Sequence, residues 1–165
     1  MLAKSLFSSA QVLLSDLDPR ALSLASENRQ THTVDGIVRG DLLSWCKSSC
    51  VDIIIANPPY VDASDIQGLP AEYRHEPGLA LTGGDDGLDL VRVLLRDATR
   101  ILCPTGLLIL EVGNSFEILD DLSEHLHPIW VDLEQGGHGV AVFMAQDLAQ
   151  WEALEDTVNP TVSAK

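Results

Sequence analysis

Six residues, Val51-Asp52-Ile53-Ile54-Ile55-Ala56, form an apolar and largely β-branched run that stops against Asn57-Pro58-Pro59-Tyr60. β-Branched side chains suit the extended backbone, and a nearly continuous apolar run predicts a strand buried on both faces of a parallel sheet. Neither proline offers an N–H to a sheet ladder, so the strand ends there and the chain leaves the sheet at its carboxyl edge. A buried strand with a rigid polar exit directs the search to α/β architectures, whose ligands bind outside the carboxyl ends of the strands.

The flanking sequence extends the pattern. Residues 11–16 are a short apolar run ending in Asp16, and Asp18-Pro19 predicts an N-cap with proline at the first helical position. That helix is expected to reach about Asn28, with Leu22, Leu24 and Ala25 as its apolar face, before a brief strand over residues 36–41. Residues 61–86 are polar and longer than a connector needs, which predicts either a substrate-binding loop or a mobile one. From Gly87, Leu88, Val91, Leu94, Leu95, Ala98, Ile101 and Leu102 recur near the helical period until Pro104-Thr105-Gly106 ends the run. Residues 107–112 predict another buried strand, and Asn114 or Ser115 a cap for a helix to about His125. Residues 129–133 and 139–145 predict an antiparallel hairpin around Gly136-Gly137 at the sheet edge. The order β-α-β-β-α-β-α-β-β is that of an α/β sandwich with a mostly parallel sheet. Residues 1–152 are expected to form one domain, and residues 153–165 a frayed tail.

Composition narrows the function. With 165 residues, 45% of them apolar, the chain suits one packed domain and is not disordered. No apolar run reaches the roughly 20 residues of a membrane span, and no secretory signal is evident, so a cytoplasmic location is expected. A net charge of −15 repels phosphate backbones, which disfavours direct nucleic-acid binding and allows steering toward a basic protein. Cys46, Cys50 and Cys103 lack the spacing of a zinc site and read as reduced thiols. No histidine pattern suggests a metal ligand, and none is expected.

Asp16, Asp41 and the Asn57–Tyr60 tetrapeptide all fall at predicted strand ends, and in one sheet they would converge on one cleft. An acid such as Asp16 accepts both hydroxyls of a ribose, while Asp41 with Leu42 and Leu43 suits the edge and face of an adenine. The structural alternatives are a turn begun by Asp16 and a helical turn capped by Asp41. The tetrapeptide fits methyl transfer to a planar nitrogen, whose lone pair is delocalised as in the peptide bond. The Asn57 side-chain oxygen and the Pro58 carbonyl can each accept one N–H, aiming the nitrogen and stabilising the charge that develops on it. Pro59 stiffens the exit, and Tyr60 supplies an aromatic wall that favours a cationic methyl donor.

At these residues the sequence resembles the S-adenosylmethionine-dependent methyltransferases that act on planar nitrogens. Glu72-Tyr73-Arg74-His75-Glu76-Pro77, Gly84-x-Asp86-Gly87-Leu88 and Glu111-Val112-Gly113-Asn114-Ser115 make it similar to the glutamine-N(5) methyltransferases. Within them it is closest to the branch acting on ribosomal protein uL3; release factors are less favoured as substrates. The resemblance implies a Rossmann-like class I sandwich and S-adenosylmethionine as cofactor. It places Asp16 at the cofactor ribose, Asp41 with Leu42 at the adenine, and Asn57, Pro58, Pro59 and Tyr60 around the glutamine amide, with Asn57 also bordering the cofactor. Glu111 would shape the acceptor pocket. The family's Gly-rich cofactor loop and the strand before it have no counterpart ahead of Asp16, so the first strand is expected to be absent and the sheet to have a gap. A base-amino nucleic-acid methyltransferase and an inactive fragment lacking the cofactor loop are the alternative readings.

Overall fold

A computed structural model of the chain describes residue 4 and residues 7–29, 34–59, 86–134 and 138–158. It groups into two compact units, Met1–Cys46 and Lys47–Lys165, where the sequence reads as a single domain.

In the first unit, β1 (Leu13–Asp16) is followed by α1 (Pro19–Asn28) and β2 (Gly36–Arg39). Proline's fixed φ and missing N–H suit the first helical turn, and the Asp18 carboxylate accepts from the Arg20 N–H as an N-cap. The cap and helix end match expectation, but the apolar face does not: Leu22 and Ala25 are half-buried and Leu24 is exposed. β1 and β2 pair in parallel from Leu13 with Gly36 to Asp16 with Arg39, a right-side-by-side arrangement that needs the intervening helix as its crossover. Asp35 anchors the start of β2 by accepting from the Val12 N–H at 2.8 Å and from Lys4 at 2.9 Å.

The second unit holds β3 (Val51–Ala56), α2 (Asp89–Ile101), β4 (Leu102–Glu111), α3 (Phe116–Ser123), β5 (Ile129–Trp130), β6 (Val140–Met144) and α4 (Ala145–Val158). Its sheet runs β3-β4-β6-β5, parallel between β3 and β4 and antiparallel thereafter, which realises the mixed sheet and terminal hairpin. Val91, Leu94, Leu95, Ala98 and Ile101 form the buried stripe of α2, as the spacing requires. They share one core with Leu108, Leu110, Phe143 and, from α4, Leu148 and Trp151.

Three expectations need correction. The helix stops at Ile101, and Leu102 is already extended at φ −67°, ψ 143°. The β3–β4 register then jumps from Val51–Leu102 to Ile53–Leu107, so Pro104 falls within an irregularity instead of a regular ladder. Gly106 is closely surrounded in that irregularity: a Cβ there would lie 3.0 Å from the Cys103 carbonyl and 3.1 Å from that of Asp52. Second, β3 is not buried on both faces: Ile54 is buried, but Ile53 and Ile55 are 41% and 66% exposed. Their side chains alternate away from the face that carries Ile54 and the α2 core. Third, Ser115 makes no side-chain cap hydrogen bond; a 3-10 turn over Gly113–Ser115 leads into α3 instead.

α4 is an element the sequence reading did not include, and it continues through Val158; residues 159–165 of the expected tail lie outside the described residues. Among the described residues β1 pairs only with β2, and β3 only with β4, so no strand joins the two sheets.

Candidate functional site

Each unit places polar residues at the carboxyl edge of a parallel strand pair, the position where open α/β sheets bind ligands. In the first unit, the Asp16–Arg39 pair and the Gly40 N–H, 3.1 Å from the Asp16 carbonyl, bring Asp16 and the 40–42 turn to one edge. One Asp16 carboxylate oxygen accepts from the Asp18 N–H at 2.8 Å, so the structural turn weighed for this residue does form. The other oxygen has no partner among the described residues, which leaves it open to a ligand hydroxyl.

Asp41 begins a tight turn through its backbone rather than its carboxylate. Its carbonyl accepts from the Ser44 N–H at 3.0 Å and the Ser44 hydroxyl at 2.7 Å, leaving the exposed carboxylate without a partner among the described residues. Leu42 follows at φ 44°, a left-handed conformation uncommon for a leucine. Its carbonyl accepts from the Trp45 indole N–H at 3.0 Å, and the indole packs so closely on Gly40 that a Cβ there would fall 2.1 Å from the ring. The turn is thus held in a strained shape with Leu42 half-buried and Asp41 outside it. Asp16 and Asp41 thus bring two carboxylates with open acceptor capacity to one edge of the first unit.

In the second unit, the Ala56–Leu110 pair closes the β3–β4 ladder, so Asn57 leaves the sheet beside Glu111. Asn57 is exposed, Pro58 buried and Pro59 half-buried: the prolines pack while the amide faces outward. Tyr60 and residues 72–77, which carry much of the resemblance, lie outside the described residues. Asp86 is described, and it has a structural task. Its carboxylate accepts from the Leu88 N–H at the start of α2 and pairs with Arg92 at 2.5 Å, which holds it below the ordinary carboxylate range.

The turn beyond Glu111 contains features that sequence reasoning missed. Gly113 and Gly139 have φ of 49° and 76°, and the Val112 N–H donates to the Gly139 carbonyl at 2.7 Å. A Cβ on Gly139 would stand 2.3 Å from the Gly113 carbonyl oxygen. Next to this junction the His138 Nε2 and Asn114 Oδ1 lie 2.9 Å apart, with the imidazole edge-on to Phe116. In the sequence Asn114 reads as a candidate cap and as part of the Glu111–Ser115 segment; its contact with His138 spans 24 positions, which local spacing cannot reveal.

Among the described residues no cluster of three His, Cys, Asp or Glu side chains is arranged to hold a metal ion. The cysteines form no disulfide. No described helix is long and apolar enough to cross a membrane.

Residues 1–71 match the family model described as the methyltransferase small domain. Over 151 residues the chain is 35% identical to the ribosomal protein uL3 glutamine methyltransferase of Francisella tularensis, covering 90% of this chain and 48% of the relative. It is 42% identical over 151 residues to the protein of the same name from Bradyrhizobium diazoefficiens, covering 90% and 47%. The Burkholderia pseudomallei protein of that name is 37% identical over 158 residues, covering 90% and 52%. The chain therefore spans about half the length of these relatives. A crystal structure of a methyltransferase from Pyrococcus furiosus superposes with a TM-score of 0.61 at 18% identity, covering 87% of this chain and 67% of that one, and supports the fold.

Proposed function

We propose that this chain, which belongs by sequence with the uL3 glutamine methyltransferases it matches over nine-tenths of its length, carries acceptor- and cofactor-binding residues for methylating a glutamine side-chain amide on ribosomal protein uL3. The observation that carries this reading is the exposed Asn57 at the carboxyl end of β3, followed by a buried and a half-buried proline.

S-adenosylmethionine supplies the electrophilic methyl group. Asp16 binds the ribose through its open carboxylate oxygen, and Asp41 with Leu42 borders the adenine. Asn57 Oδ1 and the Pro58 carbonyl accept the two N–H bonds of the glutamine amide, with Pro59 and Tyr60 completing the wall. Accepting both N–H bonds fixes the nitrogen for attack and offsets the positive charge that grows on it; as the donor's C–S bond breaks, S-adenosylhomocysteine would leave and one amide proton would pass to water. The net charge of −15 favours approach of a basic protein, and a ribosomal substrate accords with action in the cytoplasm. The same charge opposes a base-amino nucleic-acid acceptor.

The test is titration calorimetry of S-adenosylmethionine into the chain and into Asp16→Ala, followed by transfer of labelled methyl to purified uL3. Saturable binding lost in the variant, with label on a uL3 glutamine, is the expected result. Binding that ignores Asp16 overturns the cofactor assignment, and an active enzyme that labels nucleic acid but not uL3 overturns the acceptor.

A further inference from the structure

A glutamine amide brings two N–H donors and one carbonyl acceptor to a binding site. The two groups assigned to the amide nitrogen, Asn57 Oδ1 and the Pro58 carbonyl, are both acceptors, so the glutamine carbonyl oxygen still requires a donor of its own when it leaves water; without one, desolvation costs about 1–3 kcal/mol. The turn immediately beyond Glu111 is at the same sheet edge as Asn57, by the register that places Leu110 beside Ala56. Asn114 lies in that turn, exposed, and its side-chain nitrogen has no partner among the described residues.

We infer that Asn114 donates its side-chain N–H to the carbonyl oxygen of the acceptor glutamine, and that His138 orients it to do so. This rests on the glutamine-acceptor reading above and adds the group that recognises the other half of the amide. With its proton on Nε2, His138 donates to Asn114 Oδ1 across 2.9 Å, fixing which end of the side-chain amide carries the donors. Phe116 meets the imidazole edge-on at 5.7 Å, and the Gly113 and Gly139 backbones approach so closely that a Cβ on Gly139 would fall 2.3 Å from the Gly113 carbonyl oxygen. A hydrogen bond between two exposed groups contributes little stability, so the value of this contact is in orientation.

Asn114→Asp separates substrate recognition from structure. The carboxylate still accepts from His138, but it has no N–H to give. The expected result is a rise in KM for uL3 of roughly five- to hundredfold, with a matching loss of uL3 affinity and little change in kcat or S-adenosylmethionine affinity. Added negative charge attracts a basic protein, so charge alone would move KM the other way. His138→Ala should raise KM in the same direction, and His138→Gln, which retains a donor, should restore it. An active Asn114→Asp enzyme with unchanged KM and uL3 affinity overturns the inference and leaves the function standing. A wild-type protein that binds S-adenosylmethionine but neither binds nor methylates uL3 overturns the function itself and this acceptor contact with it.

Discussion

At residue scale, the sharpest contrast is between two acids the sequence had marked, Asp16 and Asp86. Asp16 spends one oxygen on the Asp18 N–H and retains the other, so Asp16→Ala should sharply weaken S-adenosylmethionine binding while removing only one local turn contact. Calorimetry beside a thermal melt separates the two effects. Asp86 is instead engaged by Arg92 and the Leu88 N–H, and its carboxyl is held low principally by the Arg92 hydrogen bond. A carboxylate with a depressed folded-state pKa contributes stability above the unfolded-state value of about 4, and that contribution disappears as pH falls through the folded value. Asp86→Asn should therefore cost about 1 kcal/mol or less near neutrality, since the pair is partly exposed, and progressively less in acid. Denaturant melts at pH 7 and pH 3 check the sign: a difference that grows on acidification contradicts it.

At the scale of elements, what the sequence disclosed was local and what it hid was tertiary. Asp18-Pro19 capped α1 as expected because the cap is made by neighbours in the chain, and the α2 stripe was legible because its period is intrinsic to the helix. The end of β3, and with it Asn57 at a carboxyl edge, followed from Pro58 and Pro59. The exposure of Ile53 and Ile55 was not legible, because a β-branched run states that a strand forms and not how many layers cover it. Pro104 misled for a related reason: proline stops a regular ladder, but the bulge that admits it within β4 depends on the partner strand. Tyr60 carries part of the proposed acceptor wall, and like the 61–85 segment it lies outside the described residues, so that part of the site is read from sequence alone. The Gly113–Gly139 junction was equally invisible, since its members are distant in sequence. It predicts that Gly139→Ala, which adds a Cβ 2.3 Å from a carbonyl oxygen at φ 76°, destabilises by about 2–4 kcal/mol. Chemical denaturation measures this directly, and a loss below about 0.5 kcal/mol would show that the junction can open.

On the scale of the whole molecule, the two units differ greatly in what holds them. Among the described residues, the buried apolar side chains belong almost entirely to the second unit, where α2, β4, β6 and α4 enclose Leu95, Leu108, Leu110, Phe143 and Leu148; in the first, Val34 alone of the described residues is buried. Hydrophobic stabilisation scales with apolar area removed from water, at roughly 25 cal/mol per Å². Among the described residues, the two-stranded sheet and the exposed α1 fall short of the three strands or second layer that independent stability needs. The carboxylates proposed to hold the cofactor, Asp16 and Asp41, therefore belong to the weaker unit, and the acceptor residues Asn57 and Asn114 to the stronger. Native-state hydrogen exchange should show β4 and β6 amides protected to nearly the global unfolding free energy and those of β1 and β2 exchanging through cheaper local openings. S-adenosylmethionine that binds only the folded first unit must then stabilise it by mass action, so protection in β1 and β2 should rise with cofactor concentration while that of β4 and β6 changes less. Uniform protection without cofactor would mean that the units open together, and a cofactor response confined to β4 and β6 would place the cofactor site in the second unit.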